Sequence, residues 1–302
     1  MLNRKDATTR ISGEISSVPL HRIRDFLDRF LRSRGAGFGV AVLVVLLLTA
    51  LTANVIAPYN PVQFQDADVL EPPSLKHLLG TDQLARDTLS RVIHGARVSV
   101  QAGVGAVGFA LVVGVSIGLL AGYNGGRVDD VLMRLVDGFY AFPLLLLALA
   151  IAYSLGPGLN NTLLAIGVGF TPHFARLSRG QALSVREREF VSAARVTGAP
   201  SWRIMVYHIW PNVTAAIIVQ ASLLVGQAII TEAALSFLGL GVEPPTASWG
   251  SMLKVGYQYL DRSPVLSFAP GCAMFITVLG FNFLGDGLRQ ALDPRLWQRG
   301  VA

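Results

Sequence analysis

Charged residues along this chain are gathered into clusters, and between the clusters run long apolar stretches without any: residues 35–65, 98–126, 138–172, 204–231 and 263–285. A helix needs about 20 apolar residues to cross a bilayer, so each stretch is long enough. The third is too long for one helix and is interrupted by GPGLNN (156–161), where Gly, Pro and paired Asn predict a tight turn. Six membrane-crossing helices follow, near residues 37–56, 98–122, 139–155, 161–178, 213–234 and 265–285. Between the fourth and fifth lies a segment of different character, REFVSAARVTGAPSWRIMVYHIWP (188–211). Gly198-Ala199-Pro200 divides it into two short helices, near 186–197 and 200–210. The first places Phe190, Ala193, Ala194 and Thr197 on one face, and the second does the same with Trp202, Met205, Val206 and Ile209. Pro211 is expected to stop the second helix at the mouth of the fifth span.

Bulk composition agrees with this pattern. A chain of 302 residues with 52% hydrophobic residues, 15% charged residues and a mean hydropathy of +0.51 is not a soluble globule. Nineteen of the 25 Lys and Arg fall in the two tails and in the 123–138 and 174–212 connections, against six in the alternate connections. By the positive-inside rule both termini and the 188–211 segment face the cytoplasm. The net charge of +6 is thus mainly a topology signal, and no basic patch interleaved with aromatics points to nucleic acid. The first span starts too far into the chain, and is too long, for a cleaved signal peptide, so a retained helix is expected. Arg176 and Arg179 fall at the inner end of the fourth span, as topology anchors or contacts to a partner. Cys272, the single cysteine, reads as a small core filler, and Asp293-Pro294 as the stop of the last helix.

Several chemistries are missing. None of the three lysines, Lys5, Lys76 and Lys254, follows a glycine, which excludes a G-x-x-x-x-G-K-[ST] phosphate loop. The five histidines are scattered, without metal-ligand spacing, and no G-x-S-x-G elbow occurs. A carrier driven by an ion gradient generally needs an intramembrane carboxylate. Glu232, at the outer end of the fifth span, is the one candidate, and a capping role is expected for it. The chain reads as a pathway without its own engine: no catalytic residues, no metal and no cofactor of its own.

Alanines on the exposed face of the 188–211 segment would leave a recess for another protein's surface, with Trp, Met and Ile as apolar anchors. A hairpin lying on lipid headgroups is the alternative. Here the sequence resembles a known family. Ala193-Ala194, Gly198, Ile209 and Pro211 stand in the order and spacing of the cytoplasmic "EAA" loop of binding-protein-dependent ABC importer permeases, although Ser192 occupies the position of the naming glutamate. HLLGTDQLARDTLSRVIHGARVSV (77–100) is similar to the motif ahead of the second span in the C-type subunits of the dipeptide/oligopeptide/nickel branch. It departs from them at Ala85, where that branch has glycine. LSFLGLGVEPPTASWGSML (235–253) and GFNFLGDGLRQALDPR (280–295) match the outer loop and closing segment of the same subunits, so the resemblance covers about residues 75–302.

What the resemblance implies is an all-α integral membrane protein of the type I ABC importer permease fold. Its six transmembrane helices have both termini cytoplasmic, and the coupling-helix loop lies between spans four and five. Its parts would be a cytoplasmic tail (1–35), a first transmembrane helix (36–57), an extracytoplasmic segment (58–97), a five-helix core (98–287) with coupling loop 181–212, and a cytoplasmic tail (288–302). It further implies a bacterial cytoplasmic membrane, a homologous second permease subunit, an extracytoplasmic solute-binding protein, and two ATPase subunits that carry ATP and Mg²⁺. Glu189, Phe190, Ala193, Ala194, Thr197, Gly198, Trp202, Met205, Ile209 and Pro211 would form the ATPase contact. Gly80, Thr81, Asp82, Arg86, Asp87, Arg91 and Arg97 would form the outer motif, its charges either meeting the binding protein or building a local ion-pair network. Glu243 and Trp249 of the outer loop are candidates to touch cargo. Di- or oligopeptides are the expected cargo, with nickel chelates, glutathione, opines or sugars as alternatives. Gly103, Gly105, Gly108, Gly114 and Gly118 in the second span are expected at close helix contacts, or as a hinge.

Overall fold

The computed structural model describes residues 30, 33 and 35–292. The expectations for the two tails beyond those residues, including the Asp293-Pro294 stop, lie outside it. Every named element among the described residues is helical, and the one β-type pairing there is an isolated bridge between Thr81 and Asp87. In chain order the helices are α1 (Ala36–Ile56), α2 (Thr88–Asn124), α3 (Gly126–Tyr140), α4 (Leu144–Leu155), α5 (Leu159–Arg186), α6 (Glu189–Val196), α7 (Ser201–Ile204), α8 (Trp210–Leu238), α9 (Trp249–Gln258) and α10 (Val265–Leu292). Four helical runs, Ala36–Ile56, Thr88–Asn124, Ser201–Leu238 and Val265–Leu292, are long and apolar enough to cross a membrane, and α3 with α4 supplies a fifth if the bent pair is one span.

Three boundaries differ from the sequence reading, each for a local reason. Helix α2 begins at Thr88, well before the expected residue 98, because Asp87 caps it by accepting the Ser90 amide at 2.8 Å. At 37 residues it is about 55 Å long, far more than a bilayer core requires. The expected third span at 139–155 is broken. Pro143 cannot continue the α3 hydrogen-bond ladder, and α4 leaves the break at 89° with only 12 residues, about 18 Å. Pro211 does not stop a helix. A π turn over Met205–Ile209 carries α7 directly into α8, and its wider winding places the proline in the first turn of α8, where its missing N–H costs no bond. Helix α5 is long, but its second half carries Arg176, Arg179 and Arg186, so length and apolarity alone do not mark it as a span.

The core sits between α2, α5 and α8, around the buried Ile166, Phe170, Phe174, Ile217 and Leu224. Backbones of α2 and α5 approach closely. A Cβ on Gly114 would lie 2.5 Å from the Thr171 carbonyl oxygen, one on Gly118 would collide with the Ala175 carbonyl, and one on Gly122 would lie 2.8 Å from the Arg179 carbonyl. Small residues at four-residue spacing give this approach. Gly103 and Gly105 meet side chains of Val225 and Leu163, whereas Gly108 faces open space. Helix α10 lies against α1 and α8, and Gly39 of α1 touches the backbone of Gly280 and Leu284.

Two further expectations are corrected. Cys272 is exposed on α10 rather than packed in the core. Glu232 is not an interfacial cap: it is buried on α8, and its Oε1 accepts the Ser236 hydroxyl at 2.6 Å.

Candidate docking loop and outer cap

Helices α6 and α7 form a paired knob at the end of α5. Val191, Ile204 and Ile209 are buried and pin it to the core, and Ala194 and Ala199 pack partly against the same cluster. Ile209 therefore belongs to the inner side of the knob, not to the exposed face expected for it. The junction is a helix C-cap. Gly198 has φ +79°, its N–H donates to Arg195 O at 3.0 Å, and Ala199 N–H donates to Ala194 O at 3.1 Å. Glycine fits because a side chain at that φ is strained.

The outward face carries Phe190, Ala193, Thr197 and Trp202, as expected, with Met205 half-buried and Glu189 and Pro211 exposed. It also carries Val196, 89% exposed, and Tyr207, 64% exposed, which the expected stripe omits. Val196 is three residues past Ala193, so the exposed face is wider than the expected stripe, and Tyr207 lies within the π turn. Trp202 and Tyr207 rings meet edge-on with centroids 6.5 Å apart. Exposed apolar side chains gathered on one short loop, with exposed Glu187, Glu189, Arg195 and Arg203 among them, are the usual mark of an interaction surface.

Two arginines tie this knob to α2. Arg186, at the end of α5, donates to the carbonyls of Gly122 (2.9 Å) and Tyr123 (3.3 Å) in the last turn of α2, where the helix dipole favours a cation. Arg195 of α6 lies over the Tyr123 ring at 5.3 Å. Arg176 and Arg179 are not free anchors. Arg179 makes a bidentate pair with Asp129 of α3 (2.5 and 2.6 Å), and Arg176 pairs with Asp137 at 2.7 Å while stacking on Tyr140.

At the opposite end of α2, residues 57–87 fold into a cap without regular elements. Although Pro58, Pro61, Pro72 and Pro73 lead one to expect an extended segment, it is a closed hydrogen-bonded fold. Thr81 N–H donates to Glu71 O (3.1 Å), Glu71 N–H donates to the Thr81 hydroxyl oxygen (2.9 Å), and that hydroxyl donates to Asp68 O (2.6 Å). Gly80 packs on the Glu71 carbonyl, leaving no room for a Cβ. Ala85 stands at φ +54°, so the tight turn forms although glycine is absent.

The motif charges are internal. Asp82 accepts Arg86 Nε at 2.8 Å and faces Arg91 Nε at 3.4 Å, and all three are buried. Arg91 also donates to Pro61 O (2.9 Å) and Pro245 O (3.4 Å), joining the cap to the loop before α9. Asp87 holds the buried His77 (3.0 Å) as well as Ser90. Arg97 reaches back to α1, donating to Ala50 O (2.7 Å) and to Asn54 Oδ1 (2.9 Å). Of the two readings left open for these charges, the structure gives the local network. Trp249 is likewise structural: it is buried, its Nε1–H donates to Val92 O at 2.9 Å, and its ring covers Gly95. Glu243 is exposed on the same loop.

This bundle has the fold of an ABC importer permease subunit. A chain of the MetNI methionine ABC transporter, solved in inward-facing conformations, superposes with a TM-score of 0.55 at 18% identity, covering 67% of this chain and 96% of that one. Residues 114–298 match the binding-protein-dependent transport system inner membrane component family, and residues 22–73 match the N-terminal TM domain of oligopeptide transport permease C. The chain belongs to the first of these families, in its dipeptide/oligopeptide/nickel branch. It is similar to the dipeptide transport system permease protein DppC of Escherichia coli (strain K12), with 46% identity over 93% of this chain and 96% of that protein. It is also similar to the di/tripeptide transport system permease protein DppC of Pseudomonas aeruginosa (strain UCBPP-PA14), with 43% identity over 91% and 92%. The glutathione transport system permease protein GsiD of Pectobacterium atrosepticum is 42% identical over 90% and 91%.

Proposed function

We propose that this chain is the permease subunit of an ATP-driven, binding-protein-dependent importer of dipeptides in a bacterial cytoplasmic membrane. It would form half of the pathway beside a homologous second permease. Six passages with inner termini are supported by the four long apolar helices, the bent α3–α4 pair, and α5, whose arginines lie at the loop end. ATP and Mg²⁺ belong to two separate ATPase subunits, which dock on the α6–α7 knob, while a solute-binding protein delivers cargo at the cap side. The observation that carries the reading is the near-complete coverage of dipeptide permeases at 43–46% identity. The exposed Val196, Trp202 and Tyr207 supply the contact surface the ATPases would need. Glutathione, a tripeptide, is the second reading, supported by the 42% identity to its permease.

The test is reconstitution of the assembled transporter in proteoliposomes, with uptake of radiolabelled alanyl-alanine and glutathione measured after addition of ATP. ATP-dependent uptake of alanyl-alanine is expected. Uptake by this chain alone, driven by an ion gradient, would overturn the reading. For the docking face, Val196→Asp is the informative change, because Ala194 is half-buried against the core and Gly198 is conformationally restricted, so substitutions there also disturb folding. Val196→Asp is expected to leave the permease in the membrane but to lose ATPase subunits on co-purification.

A further inference from the structure

Between the loop end of α5, one face of α8 and the end of α10 lies a cavity of about 840 Å³. Along α8 it runs from Asn212 to Leu223, three turns or about 16 Å. Its polar side chains are Arg188 and Arg289 with Asn212, Gln181, Ser184 and Gln220, set among apolar ones. No Asp or Glu lines it among the described residues, and neither arginine has an ion pair there. Nearby, Arg176, Arg179 and Arg186 pair with carboxylates and Arg195 lies over an aromatic ring. Two guanidiniums without an ion pair among the described residues line one cavity together with three amides, presenting donors with no acceptor charge among the described lining.

We propose that this cavity binds the free C-terminal carboxylate of a short peptide, with Arg188 and Arg289 as its cationic partners and the amides of Gln181, Asn212 and Gln220 receiving the peptide backbone. A guanidinium gives a carboxylate paired, charge-assisted N–H···O bonds, which a neutral amide end cannot reproduce. Two extended residues span about 7 Å, so a dipeptide fits within the cavity's length along α8. The inference rests on the peptide-import reading and adds to it a named anion site at the docking-loop end of the pathway. Such a site would select for a free carboxyl end independently of the binding protein.

The experiment uses the assembled transporter in lipid nanodiscs, without binding protein or ATP, and radiolabelled alanyl-alanine and alanyl-alanine amide in equilibrium dialysis. Saturable binding of alanyl-alanine is expected, about ten-fold weaker for the amide and about ten-fold weaker in the Arg188→Gln/Arg289→Gln double variant. Equal binding of the amide, unchanged binding by the double variant, or no saturable binding by the unaltered transporter would overturn the site. ATP-driven uptake of alanyl-alanine by the same unaltered preparation, with its binding protein, tests the import reading separately. Uptake without carboxylate-dependent binding sinks the site alone.

Discussion

The Arg186 guanidinium donates to the Gly122 carbonyl at 2.9 Å, which joins the base of the docking knob to the last turn of the longest helix. That helix, α2, is fixed at its far end by Asp87 and through Val92, whose carbonyl accepts the Trp249 indole. One rigid element therefore spans from knob to cap. Arg186→Ala removes two charge-assisted bonds to helix-end carbonyls and is expected to cost ~1.5–3 kcal/mol. Its thermal midpoint should fall by several degrees. If α2 carries motion between the ends, the variant should also lose the stimulation of ATPase activity by loaded binding protein. Retained stimulation with a lowered midpoint would leave Arg186 a structural brace only.

The glycines of α2 separate close packing from open surface. Gly118→Val forces a side chain into the Ala175 backbone and is expected to abolish stable expression or to cost more than ~3 kcal/mol. Gly108→Ala meets nothing and should be neutral or stabilising by up to ~1 kcal/mol, since alanine is the better helix former. Detergent-solubilised melting curves of the two variants test the contrast.

Ala85 lies in the left-handed region at φ +54° and is buried. Alanine there carries a steric cost of ~1–2 kcal/mol that glycine avoids, offset in part by glycine's greater entropy in the unfolded chain. Ala85→Gly should shift the melting midpoint little, whereas Ala85→Val, with a β-branched side chain in that region, should lower it clearly. A midpoint for Ala85→Val equal to that of the parent would show that the turn relaxes.

Asp129 and Arg179 clamp α3 to α5 through two parallel bonds, and both are partly screened from solvent. Asp129→Ala should reduce the yield of folded permease, as should Arg179→Ala, each by leaving the other charge without its partner. The exchange Asp129→Arg/Arg179→Asp should recover part of the loss. Equal defects in the single and exchanged variants would show that the pair's geometry, rather than its charge, matters.

Much of this protein follows from the chain read by itself. Long runs without charge exclude a soluble globule because a bilayer accepts only apolar, internally hydrogen-bonded helices. The Gly198-Ala199-Pro200 break predicts the knob because glycine and proline punctuate helices locally. Family membership is equally legible, in four motifs kept in order. Tertiary structure decided the rest. The sequence leaves Arg86 and Arg91 open between partner contact and a local network and offers Trp249 as a cargo contact, yet all three are buried. Asp82 pairs with Arg86 locally, while Pro61 and Pro245 reach Arg91, and Val92 reaches Trp249, from distant parts of the chain. Ile209 is buried and Tyr207 exposed where the helix winds as a π turn over Met205–Ile209, a local winding that a period of 3.6 does not represent. Local propensity is written residue by residue. Burial and pairing depend on which distant segments meet, and only the folded chain settles that.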